Sequence, residues 1–256
     1  MSTNKFGSFD WVQSTQGHLS IKDKIYLINQ TLLPTIISLV NNQIKRYISS
    51  QRALNTITLE QIHVPDTLMI KKSITELNNK GSQAMINHSW RTYFWSSVLG
   101  IVHEMSFDPE LLLTASLLHG IGLTDTHLHN KGCQCFALAS TENFENLATT
   151  VDYPEDKVKI IKDAICMQIN GYSELDNPIE VTLLQYGISC DIIGERLFDI
   201  PSSFCDELLA TYPRENLNKA CQYLIKQEAA LVKKSRTAFL GLLGLPIMIK
   251  LNPFKE

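Results

Sequence analysis

LTASLLHGIGLTDTH, residues 113–127, is an apolar run that meets a histidine and then two closely spaced glycines. Asp108-Pro109 stands just upstream. Aspartate is a favoured helix N-cap and proline a favoured first helical residue, so the spacing predicts a helix from Pro109 to about His119. Gly120 and Gly122 end it. His119 is thereby placed at the C-terminal end of an apolar helix. Histidine followed by aspartate at such a point is a metal-site signal, and here glycine takes the aspartate's place.

Working outward, the same helical spacing recurs on both sides. From Trp90, apolar residues return at Tyr93, Phe94, Val98, Ile101, Val102 and Met105, which marks one buried helix face. Asn87 or Ser89 is the expected cap, leaving His88 at the helix start. Pro154 opens a helix with Val158, Ile161 and Ile165 inward, and Pro178 one with Leu184, Ile188 and Ile192. A further helix after Pro213 carries Leu217, Ala220, Leu224 and Leu231. Period-two runs flanked by turn residues are absent, so an all-α fold is expected. Residues 1–65 read as a less regular helical extension, 66–256 as the main helical domain, and Gly241 to Glu256 as its loop-rich cover.

The balance of 44% hydrophobic and 19% charged residues over 256 positions suits a globular core. Net charge is -3, and no cluster of Lys and Arg offers a nucleic-acid footprint. Lys233-Lys234-Ser235-Arg236 reads as the basic close of a helix. The N-terminus has no secretory pattern, and the longest greasy runs are too short to span a bilayer. Six cysteines, several at apolar helical positions, favour buried free thiols over a disulfide framework. These readings point to a soluble cytoplasmic protein with a small-molecule substrate, without a nucleic-acid or membrane partner, and with surface enough for a homodimer.

Taken singly, His88 and His119 read as hydrogen-bonded core or half-exposed histidines. Asp191 changes the balance, because it projects from the apolar face of Leu184, Ile188 and Ile192. A carboxylate buried there costs several kcal/mol unless it is paired, protonated or metal-bound, so histidines or a cation are expected beside it. Gln168 continues the Ile161–Ile165 stripe and is also expected inside, with partners for both ends of its amide. Asp125, His127 and His129 alternate along a loop, with Cys133 and Cys135 following. Their spacing matches no tetrahedral zinc pattern, and a solvated loop at a pocket mouth is the simpler reading.

With these residues in hand, the sequence resembles the HD-domain superfamily, and within it the cyanamide hydratase branch. NHSWRTYFW (87–95) is similar to that branch's asparagine-histidine-serine, arginine and aromatic motif. LLTASLLHGIGLTD (112–125) is similar to its helix ending in histidine-aspartate, DAICMQ (163–168) to a helix ending in histidine, and ISCDIIG (188–194) to the segment with the last aspartate. TYPRENL (211–217) and NPF (252–254) resemble later landmarks. The resemblance implies an HD-like helical bundle over roughly residues 65–256.

It also implies one divalent metal held by His88, His119 and Asp191, with Gly120 and Gln168 replacing two further ligands. Two histidines and a carboxylate suit one zinc or ferrous ion, and a degenerate site holds none. The implied activity is hydration or hydrolysis of a small polar metabolite. His119, Asp191 and Asp125 are the catalytic candidates, and Trp90, Tyr93, Phe94 and Gln168 the substrate-binding ones. A metal-free lyase or isomerase is the alternative, with the Asp191 pKa raised by burial or that of His119 raised by the carboxylate. A non-catalytic binding protein that keeps the pocket is the third.

Overall fold

A computed structural model describes residues 4–48, 57–124, 135–171 and 176–256. Among the described residues the chain is all-α, without β-strands, and His18 and Ser235 form an isolated bridge. Its α-helices are α1 (Phe9–Thr15), α2 (Ile21–Leu27), α3 (Leu33–Ile48), α4 (Leu68–Lys80), α5 (Gln83–Val102), α6 (Pro109–Leu118) and α7 (Phe136–Thr149). There follow α8 (Glu155–Met167), α9 (Ile179–Ile193), α10 (Ser202–Thr211), α11 (Leu217–Leu231), α12 (Arg236–Leu242) and α13 (Leu245–Lys250). No described helix is long and apolar enough to cross a membrane.

The helix built on the opening stretch starts as its residues dictate. Asp108 accepts from the backbone N–H groups of Glu110 and Leu111 at 2.8 and 3.3 Å, with Pro109 at the first position. All residues from Leu111 to Leu118 are buried, so α6 runs through the core rather than along its edge. Each leucine fully removed from water there contributes roughly 2 kcal/mol.

Helix α5 is also surrounded, which the one-face reading of its apolar stripe did not foresee. Its start lies earlier than expected, because Ser82, rather than Asn87 or Ser89, caps it by accepting from the Met85 N–H. His88 therefore sits in the second turn. The reverse side carries Ser89, Thr92 and Ser96, all buried. These small side chains let α9 approach closely, with Gly187 facing Thr92 and Ser96. Gly100 lies near Leu183 at the far end of the crossing and Asp191 near His88 at this end, so the two helices run antiparallel.

The segments before and after the central helices are more ordered into the body than their composition suggests. Trp11, Val12, Leu19 and Leu27 pack with Cys135, Ala137, Leu138 and Cys166 in a second core. Cys135, Cys166, Cys190, Cys205 and Cys221 are buried free thiols, and Cys133 lies outside the described residues. In the tail from Gly241, Gly241 and Leu242 end α12 and Leu245–Lys250 form α13, with Gly244 at φ +105° between them and the remaining residues irregular. Of the basic segment 233–236, exposed Lys233 and Lys234 follow directly on the end of α11. Ser235 caps α12, and the Arg236 guanidinium is buried and donates to Asn170 Oδ1 at 2.7 Å.

Candidate functional site

Helix periodicity decides which α5 residues meet α9. His88, Arg91 and Trp95 lie within one narrow sector of α5, at spacings of three and four. Asp191 lies one turn beyond Gly187, so the close crossing carries it directly onto that sector. The His88 Nδ1 lies 2.7 Å from Asp191 Oδ2. Arg91 donates through Nε to Oδ1 at 2.8 Å and through Nη2 to Oδ2 at 2.9 Å, and Trp95 Nε1 donates to Oδ1 at 3.0 Å. Arg214, from the loop before α11, reaches the Asp191 carbonyl at 3.0 Å and Oδ1 at 3.4 Å. Asn252 donates to the same carbonyl at 2.8 Å.

Burial by itself would raise the Asp191 pKa, but Arg91 and His88 overcome it and hold the carboxyl well below the usual range. The group is ionised at every physiological pH. The expectation of an Asp191 raised by burial is thereby reversed, since a bidentate guanidinium was at hand.

His119 takes its place from the end of α6. Its Nδ1 is 2.7 Å from the Ser116 carbonyl. Its own carbonyl, an orphan of the helix end, accepts from Gln168 Nε2 at 2.8 Å and Ser140 Oγ at 3.0 Å. Burial and then the neighbouring His88 lower the His119 pKa to about 3, so the expected rise from the carboxylate is also overturned. Burial lowers that of His88 too, against the pull of Asp191.

The hydrogen bonds fix both tautomers. A carbonyl and an ionised carboxylate can only accept, so each histidine carries its proton on Nδ1. Each Nε2 is then a bare lone pair, and the two Nε2 atoms face each other at 3.2 Å. Two opposed lone pairs repel unless something electron-poor joins them. Two histidines on one zinc ion, at about 2.0–2.1 Å each and near a tetrahedral angle, stand roughly 3.3 Å apart. Both rings also donate their other N–H to an oxygen, as metal-bound histidines do. The spacing is that of two ligands on one ion, and it is equally that of a single proton shared as an N–H···N hydrogen bond.

Asp191 does not fit as a third ligand to that ion. It lies against Nδ1, across the His88 ring from the shared point, and its oxygens already accept from Arg91, Trp95 and His88. Its place in the expected set becomes that of an orienting group. Gly120 adds no donor, and Gln168 spends its amide nitrogen on the His119 and Ile165 carbonyls. Among the described residues, no three His, Cys, Asp or Glu side chains form a metal-holding group.

The aromatic candidates lie elsewhere. Trp90 and Tyr93 project from the far side of α5 and Phe94 from its flank, and Trp90 stacks on Tyr212 with centroids 5.8 Å apart. Tyr93 is fully buried and donates to the His63 carbonyl. They form packing on the back of the helix rather than a wall at the histidine pair. Asp125 lies outside the described residues, as do His127 and His129.

The site's buried cations were missed as functional residues, although both lie in quoted motifs. Arg91 sits among core aromatics in NHSWRTYFW, and Arg214 follows Pro213 in TYPRENL. An arginine inside an apolar pattern, with an unpaired inward aspartate elsewhere, was the available signal. Phe254, from the last landmark, stacks on Trp95 with centroids 5.6 Å apart. Compared with known proteins, the chain matches no family model and no curated sequence.

Proposed function

We propose that this chain is a hydratase or hydrolase of a small polar molecule, acting at one divalent ion held by His88 and His119. The reading rests on the opposed Nε2 lone pairs at 3.2 Å, each on a ring locked from behind by an Nδ1–H donor bond. The resemblance to cyanamide hydratases supports the reaction class. When bound, such an ion polarises a substrate or lowers the pKa of a water.

The protein's own part is orientation and electrostatics. Asp191 holds His88 in the tautomer that leaves Nε2 bare and raises its basicity as a donor. The Ser116 carbonyl does the same for His119. Arg91 and Arg214 neutralise the buried carboxylate so that it stays charged without a proton. Both imidazoles are 3% exposed, so their Nε2 lone pairs face the interior.

The test is elemental mass spectrometry on protein purified without chelator or added ions. About one zinc or iron per chain is expected, lost in both His88→Ala and His119→Ala. Protein that arrives empty and refuses added zinc and iron rejects the reading.

A second reading has its own support, because Asp191 is engaged by Arg91 and only two side-chain donors remain. In it, His119 Nε2 acts as a metal-free base towards a substrate proton. That enzyme turns over unchanged in chelator and fails in His119→Ala.

A further inference from the structure

Where α2 and α12 begin, the surface combines protruding aliphatic side chains with lysines. Leu242 at the end of α12 is 86% exposed, Ile21 at the start of α2 is 78% exposed, and Ile25 is exposed as well. Both helices start beside the bridge between His18 and Ser235, where the Leu19 N–H donates to the Lys234 carbonyl at 2.9 Å. Lys24 then reaches across, its Nζ 5.5 Å from the centre of the Phe239 ring. Leu242 stands one turn beyond Phe239, Ile21 one turn before Lys24, and Ile25 one turn beyond Ile21. One region of surface therefore holds all three aliphatics.

The charge around them is mostly of one sign. Lys22, Lys233 and Lys234 are exposed, and Lys24 is half-buried. Among the described residues none of the three exposed lysines is ion-paired. Asp23, the acid within this group, accepts from the Ser20 N–H at 2.8 Å and so caps its own helix. In a chain of net charge -3, no aspartate or glutamate stands between Glu228 and Glu256, whereas Lys233, Lys234, Arg236, Lys250 and Lys255 do. A folded partner would need a separate pocket for each protruding aliphatic side chain. A lipid surface closes around them, and anionic headgroups complement the lysines.

We propose that this face docks on the surface of a bilayer that carries anionic lipid. Ile21, Ile25 and Leu242 enter the headgroup boundary, and Lys22, Lys24, Lys233 and Lys234 lie over the headgroups. The expectation of no membrane partner rested on the lack of a spanning segment, and a surface contact needs none.

Co-sedimentation of the full chain with vesicles tests this, using phosphatidylcholine alone and phosphatidylcholine mixed with phosphatidylserine. Partition onto the mixed vesicles is expected, weaker on the neutral ones and weakened by salt. Leu242→Gln should lower it about tenfold. Lys22→Gln and Lys234→Gln should each lower it about fivefold. Leu68→Gln, at an exposed aliphatic of α4, should leave it unchanged. All four side chains are exposed, so these substitutions leave folding intact. No partition onto the mixed vesicles overturns the proposal, as does equal partition onto both kinds. Partition kept in full by Leu242→Gln and Lys234→Gln places the contact elsewhere and overturns this face. A wild-type dimer that Leu242→Gln dissolves, without partition onto vesicles, assigns the face to a second copy and overturns the membrane reading.

Discussion

Gly187 and Ser96 touch across the α5–α9 crossing so closely that a Cβ on Gly187 would lie 2.1 Å from Ser96 Oγ and 2.4 Å from the Thr92 carbonyl. The second contact is with backbone, which cannot swing away. Ordinarily, glycine to alanine inside a helix gains about 1 kcal/mol. Here Gly187→Ala should instead lose about 1–3 kcal/mol in urea unfolding, because the helices must part. It should also weaken metal binding, since Asp191 is carried one turn further on. A stabilised variant would contradict the crossing.

Asp191→Asn keeps the shape of the side chain and removes its charge. Arg91 is then left buried without a counter-ion, whereas Arg214 keeps Glu256 at 3.2 Å, and the loss is about 3–5 kcal/mol. Metal affinity should fall roughly 10–100-fold, as for other groups that hold a ligand from behind. Were Asp191 a direct ligand, the metal would be lost outright, so isothermal titration of a folded variant separates the two roles.

Gly120 can accept the aspartate that the motif lacks. Its φ of -98° is ordinary for an L-residue, contrary to the left-handed turn that glycine at a helix end often signals. A Cβ there would lie 2.7 Å from Met85 Cε, the movable end of a side chain. Gly120→Asp should therefore fold with a loss of about 1 kcal/mol or less, with Met85 displaced. It should bind zinc more tightly than the parent. Unchanged affinity in the folded variant would show that residue 120 does not face the ion.

Glu228 sets a pH dependence remote from the histidines. Burial pushes its carboxyl pKa up to about 7, opposed by the Phe136 N–H that donates to it at 3.1 Å. The unfolded value is near 4.5. The raised folded value means that this contribution is present in full below pH 4.5 and is lost as pH rises through 7. The loss amounts to about 3 kcal/mol. Glutamine keeps the acceptor without the charge, so Glu228→Gln should match the parent at pH 4 and exceed it by up to about 3 kcal/mol at pH 8. Equal unfolding curves at pH 8 would refute the assignment.

Much of this architecture is legible in local chemistry. Asp108-Pro109 places the start of α6, and the apolar company of Asp191 puts it inside. The full burial of α5 is not legible in the same way. Ser89, Thr92 and Ser96 look like an outer, solvated face, yet small polar side chains are also what a close helix crossing needs. The partners of Asp191 were legible as types, a histidine and a cation, but the arginines were not legible as residues. Arg91 and Arg214 come from segments far apart in sequence, and periodicity says which way a residue points but not which residue meets it. The aromatics of the Trp90 motif adjoin His88 in sequence, as substrate-binding candidates implied by the resemblance. Two positions along a helix, however, turn a side chain most of the way to the opposite side.

The placement of the site on a fully enclosed helix also affects how its residues persist over generations. His88, Arg91 and Asp191 neutralise and satisfy one another in the dry interior. A lineage that no longer used the chemistry would still suffer from discarding any one of them. Gly120 belongs to no such compact, and a Cβ there meets only the movable end of Met85, so the position beside His119 is less constrained. Residues of the first kind are retained as masonry, whatever their employment. Only positions of the second kind record whether the employment continues.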